Sequence, residues 1–215
     1  MNQSKKILCI SLILFTIACS RETDTFVKNS IPENHTVVNR QSLILADTYF
    51  QAMIKGQLVH YARVVDLVHI KKVMADNKIT QEEYRLIPGY HGYSSVTEFE
   101  KYYLLLNNQG QYLNAKYGFK NMSADDQFAT LKAGFDKELG VAQNLVDASC
   151  ESIRQNCLAN VAAQATLMHL GCISADLTLF GGILCHSAAF LYQVTSSSNC
   201  NTDYDKCTKQ NSHVN

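Results

Sequence analysis

CESIRQNC, residues 150–157, and CNTDYDKC, residues 200–207, each hold two cysteines with six residues between them. Cys172 and Cys185 stand between these two stretches, so the six cysteines are separated by 6, 14, 12, 14 and 6 residues. The spacing is a palindrome centred between Thr178 and Leu179. A helix turns about 100° per residue, so a step of seven returns to within about 20° of the same face and a step of fifteen lands about 60° away. The three cysteines of each half therefore lie near one stripe. Two antiparallel helices joined by a turn near Leu177 to Gly182 set mirror-related residues opposite one another. The pairing this predicts is Cys150 with Cys207, Cys157 with Cys200, and Cys172 with Cys185, one of the fifteen that six cysteines allow.

The material between the staples is apolar. From Ala159 to Val194 the only residue of fixed charge is Asp176, accompanied by His169 and His186. Two membrane spans are a poor fit, because each half is short for a bilayer and diluted by Asn160, Gln164, Thr166, Ser174 and Ser187. A hairpin packed on the preceding helices fits better, with Ala162, Ala163, Ala165, Ala188 and Ala189 permitting close approach. His169 and Cys172 share a helix face, but Cys185 and His186 are adjacent and point about 100° apart, which argues against a metal centre. No cofactor is expected.

Upstream, apolar residues recur at helical spacing from Val37 to Met74, which predicts one long helix or two joined near Gly56. His60 and His69 fall nine residues apart in it and are expected at or near the surface. Asp76 to Tyr84, DNKITQEEY, resembles the second half of an EF-hand loop, but Lys72 and Met74 occupy its first and third ligand positions. A helix-turn-helix connection without calcium is expected, with Thr80 and Glu83 as a capping box. PGYHGYSS, residues 88–95, reads as a loop, and Tyr90, His91 and Tyr93 are its candidate ligand-stacking residues. Ser95 and Glu98 suggest a second capping box before a helix that breaks near Asn108 and Gly110. Ser123 opens a further helix carrying Phe128, Leu131, Phe135 and Leu139 on one face. Only Pro32 and Pro88 oppose helix, so the predicted fold is all-α, a helical region over 37–140 and a disulfide-stapled antiparallel hairpin over 141–215.

Lysines 5 and 6, the apolar run from Ile7 to Ile17 and the small Ala18 read as an export signal over residues 1–18. A polar stretch over 19–36 follows, which reads as a tether. Thr16-Ile17-Ala18-Cys19 resembles the lipobox of bacterial lipoproteins: Ile17, Ala18 and Cys19 fit, and Thr16 stands where Leu is usual. The resemblance implies a lipid on Cys19 and anchoring to a membrane. Ser20, in place of the Asp that signals inner-membrane retention, implies the outer membrane or cell surface. An oxidising location also makes six paired cysteines chemically reasonable.

Nineteen basic and nineteen acidic residues give a net charge of +0, so no overall field draws the chain to nucleic acid. No triad spacing, phosphate loop or HExxH is present, and oxidised cysteines are not nucleophiles. The expected function is a non-catalytic, lipid-anchored envelope protein that binds a protein partner outside the inner membrane. The alternative is a precursor releasing a membrane-active C-terminal peptide, a layout that resembles certain bacteriocin precursors. Its mature fragment would begin between Gly134 and Ser149.

Overall fold

A single aspartate divides the first apolar stretch. Helix α1, Val37–Ala46, stops at Asp47, whose carboxylate accepts the backbone N–H groups of Tyr49 and Phe50 and so caps α2, Thr48–Tyr61. A third helix, α3, covers Leu67–Ala75. Three helices thus replace the expected one or two, and Gly56 lies inside α2 rather than at a joint. The computed structural model describes residues 37–63, 65–75, 79–141, 149–172 and 179–212. The export segment, the tether with Cys19, Asp76, Asn77 and Asp176 fall outside them.

Helix α4, Gln81–Tyr90, opens with the expected box: the Thr80 hydroxyl accepts from Glu83 N–H, and the Glu83 carboxylate accepts from Thr80 N–H. Pro88, Gly89 and Tyr90, expected in a loop, form its last turn, which forgoes the bond that Pro88 cannot donate to residue 84. Gly92, at φ 73°, then reverses the chain. Helix α5, Val96–Tyr117, is capped by Ser95, but its box is half-formed, since Glu98 turns instead to the Ser94 N–H and hydroxyl. It runs through Asn108 and Gly110 without the expected break. Leu106, Leu113 and Tyr117 are buried along one face, and packing there outweighs the poor local propensity of glycine. A 3-10 turn at Phe119–Asn121 leads to α6, Ala124–Leu139, capped by Ser123 and ended by Gly140 at φ 68°.

Helices α7, Cys150–Gly171, and α8, Leu179–Ser212, form the predicted antiparallel hairpin. Its bridges are Cys150–Cys207, Cys157–Cys200 and Cys172–Cys185, at Cα separations of 5.7, 5.8 and 5.6 Å, inside the range a disulfide spans. Helix α8 starts at Leu179, so Gly181 and Gly182, expected at the turn, lie in its first turn. Among the described residues no strand occurs.

One core joins the two regions. Phe50, Met53 and Ile54 of α2, Leu131 and Phe135 of α6, and Leu106 and Leu113 of α5 belong to the same buried cluster as Ala159, Ala162 and Ala163 of α7 and Ile183 of α8. Each large apolar side chain so removed from water contributes about 1.5–3 kcal/mol. Ala159, Ala162, Ala163 and Ala165 are buried on α7, small side chains of the kind that permit close helix approach. Residues Thr36–Asn215 accordingly form one compact unit.

Candidate functional site

Four histidines from separate parts of the chain meet in the interior. His60 is in the last turn of α2, His91 caps the end of α4, His169 lies near the end of α7, and His186 is on α8. Their exposures are 1%, 0%, 0% and 3%, so none meets solvent. The expectation that His60 sits at or near the surface is therefore corrected. Tyr49 and Val59 take the outer face of α2 instead, leaving His60 on the same inward side as Met53 and Gln57.

Aromatic rings enclose the imidazoles. His60 stacks on Tyr102 with centroids 4.2 Å apart, and its Nδ1 is hydrogen-bonded with the Tyr93 hydroxyl at 2.6 Å. It meets His169 edge-on at 5.6 Å. His169 and His186 are hydrogen-bonded through their Nδ1 atoms at 2.9 Å, and Tyr103 stacks on His186 at 4.0 Å. His91 Nε2 lies 3.2 Å from the Ser187 hydroxyl. Phe190 touches both His60 and His91, at centroid distances of 4.7 and 4.9 Å. Nearby, the Tyr61 and Thr166 hydroxyls are 3.1 Å apart.

Arg63 explains why the 88–95 segment turns inward. Its Nη1 donates to the Gly92 carbonyl at 2.7 Å, its Nη2 donates to Glu98 Oε1 at 2.8 Å, and its guanidinium covers the Tyr93 ring at 3.8 Å. Hydrogen bonds from the Ser94 hydroxyl and N–H, and then from Arg63, pull the Glu98 carboxyl down to about 2, so the ion pair persists through neutral pH. His91 and Tyr93 are thereby buried rather than presented to an external ligand. Tyr90 stays half-buried and stacks on exposed His69 at 4.9 Å, while His69 Nδ1 lies 2.7 Å from Asp66.

Burial is the main cause of a strong downward push on three of these imidazoles. It brings His91 down to about 4, aided by the neighbouring His186. It also takes His60 and His169 well below the ordinary histidine value, reinforced by the imidazoles around them and, for His60, by Arg63. All three are neutral at pH 7. Among the described residues His60 Nε2, His91 Nδ1 and His169 Nε2 have no hydrogen-bond partner.

The chemistry open to this arrangement is narrow. Among the described residues no three His, Cys, Asp or Glu side chains are placed to hold one metal ion. His91 and Ser187 form a pair, but both are buried, and His91 Nδ1 lacks the carboxylate that orients a hydrolytic histidine. On the surface, a separate open groove of about 370 Å³ runs between Phe128 of α6, Ile153 and Asn160 of α7, and Tyr192 of α8.

In the sequence His169 and His186 stand in one apolar run, while His60 and His91 lie far upstream. The available signal was weak: two histidines inside an otherwise apolar run, with no pattern linking them to residues 60 and 91. Fold and site together define an all-α, disulfide-stapled protein built over a buried histidine and tyrosine core. No protein-family model, curated protein or solved structure matches the chain.

Proposed function

We propose that this chain is an exported, non-catalytic protein, anchored by lipid on Cys19 at the outer membrane or cell surface, whose helical body binds a protein partner there. The observation that supports export is the three-rung ladder of Cys150–Cys207, Cys157–Cys200 and Cys172–Cys185, which persists in an oxidising compartment and is rare in reducing ones. The lipobox-like TIAC supports the anchor. The enclosed site, in which the Ser187–His91 pair is sealed from any substrate, supports a binding rather than a catalytic role.

Release of a C-terminal peptide has less support. Ala159, Ala162, Ala163 and Ile183 complete the common core, so cutting the hairpin away strips both parts of apolar cover. Among the described residues no helix is long and apolar enough to cross a membrane.

Metabolic labelling with a fatty-acid probe, followed by membrane fractionation, tests the anchor. Label on a full-size mature chain in the outer envelope fraction, absent from Cys19→Ser, is expected. An unlabelled chain in the medium, or a mature fragment beginning between Gly134 and Ser149, overturns the proposal. Cross-linking on intact cells tests binding: a discrete adduct of one size is expected, and a monomer at every dose overturns that half.

A further inference from the structure

We infer that the histidine interior is an acid-operated latch: on taking up protons it releases α2, α5 and the 91–93 segment that precedes α5 from the α7–α8 hairpin, which the disulfides keep in one piece. This goes beyond the proposed function and does not depend on the anchor.

The cluster lies along the seam between the two parts. His60, Tyr61, His91, Tyr93, Tyr102 and Tyr103 come from the N-terminal side, and His169, His186, Ser187 and Phe190 from the hairpin. Beside the apolar core shared by α6 and α7, part of the contact across the seam passes through these rings: His60 with His169 and Phe190, His91 with Ser187 and Phe190, and Tyr103 with His186. Disturbing the imidazoles therefore disturbs the part of the attachment that holds α2, α5 and the 91–93 segment.

Among the described residues no carboxylate is hydrogen-bonded to His60, His91 or His169. Among the described residues, the groups around the cluster include the hydroxyls of Tyr61, Tyr93, Tyr102, Tyr103, Thr166 and Ser187, the Gln57 amide, the cation Arg63 and the carboxylate Glu98, which Arg63 and Ser94 already occupy. On α3 and its approach, Asp66 pairs with His69 at the surface. On α6, Lys132 pairs with Asp136, and Glu138 with Lys55 of α2. An imidazolium has two N–H donors. At His60 Nε2, His91 Nδ1 and His169 Nε2 an added proton meets no acceptor. Burying an unpaired charge is unfavourable enough to favour separation.

The direction of the pH effect follows. His60, His91 and His169 bind protons more weakly when closed than in an opened state, where histidine titrates near about 6.5. Closure is complete above that value and weakens as pH falls towards the lowered closed-state values, about 4 for His91. Three additional protons in the open state make the opening constant rise by up to about 1000-fold per pH unit, since each proton contributes about tenfold. Asp47 and Glu98, whose carboxyls are held below their usual values, act below about pH 4 and about pH 4.5 respectively, at the acid edge of this window.

Hydrogen exchange, corrected for intrinsic rates, on the oxidised full-length chain between pH 7.5 and 4 tests the latch. Protection is expected to fall first in Thr48–Tyr61 and Val96–Tyr117 and to persist in Cys150–Gly171, with a slope approaching about 1000-fold per pH unit. His91→Asn, which removes one titrating ring with a single hydrogen bond, should lower the slope to about 100-fold. If that variant does not fold, the native slope and the order of loss still decide. A native slope under about tenfold per pH unit between pH 6 and 4.5, an unchanged slope in His91→Asn, or simultaneous loss of protection in all helices overturns the inference.

Discussion

Lys116 places its Nζ 2.8 Å from Oδ2 of Asp47, although 69 positions separate them in the chain. The same carboxylate oxygen accepts from the Tyr112 and Tyr117 hydroxyls at 2.9 and 2.7 Å, while Oδ1 accepts from the backbone of α2. One nearly buried carboxylate thus ends α1, starts α2 and holds the C-terminal end of α5 against them.

Asp47→Ala is expected to destabilise the protein by about 3 kcal/mol, since it removes a helix cap and strands two tyrosine hydroxyls and a cation. Burial acts to raise the Asp47 pKa, but the bonds from Lys116, Tyr117, Tyr112 and Tyr49 N–H outweigh it and hold the carboxyl well below the usual range. Its contribution is therefore fully present above about pH 4 and is lost as pH falls below that. Urea denaturation at pH 7 and pH 3 checks both parts: the gap between native and Asp47→Ala should narrow at pH 3.

Gly134 and Gly56 should respond in opposite directions to alanine. A Cβ at Gly134 would sit 2.8 Å from Phe50 Cε1 and 3.0 Å from Ile54 Cγ1, both on fully buried side chains, so Gly134→Ala forces α2 and α6 apart and costs about 1–3 kcal/mol. At Gly56 an added Cβ meets nothing within 4 Å, and alanine inside a helix gains about 0.5–1 kcal/mol. Thermal melts of the two single variants decide between these signs.

Tyr93→Phe removes the hydroxyl that His60 Nδ1 uses, leaving a second unpaired nitrogen on a ring with 1% exposure. A loss of about 1–3 kcal/mol is expected at neutral pH by chemical denaturation, with the helical content unchanged by circular dichroism.

The three bridges should not be equal. Each typically contributes about 2–4 kcal/mol, and the chain-entropy model favours the longer loop. Cys150–Cys207 spans 57 positions and Cys172–Cys185 spans 13, so replacing the outer pair with alanine should cost about 1 kcal/mol more than replacing the inner pair. Denaturation midpoints of the two double variants measure the difference.

Much of the helix grammar was legible. The Thr80–Glu83 box, the Ser95 and Ser123 caps and the face carrying Leu131 and Phe135 are local patterns, and each is realised. Breaks were less legible. Gly56 and Gly110 looked like joints because glycine is a poor helix former, yet both helices continue through them, and it is Asp47 that divides the first stretch. The surface placement expected for His60 failed for a related reason: a polar side chain tells nothing of which neighbours will enclose it.

The sequence by itself determined the hairpin and its disulfide pairing, because a palindromic spacing on a regular helix leaves one register in which all six cysteines meet. Helical periodicity likewise determined the all-α class. Only the tertiary structure decided that residues 60, 91, 169 and 186 share one interior, with Arg63 and Glu98 turning the 91–95 segment towards it. Their convergence depends on how four separate segments pack, and packing obeys shape and burial across the whole chain rather than any spacing along it.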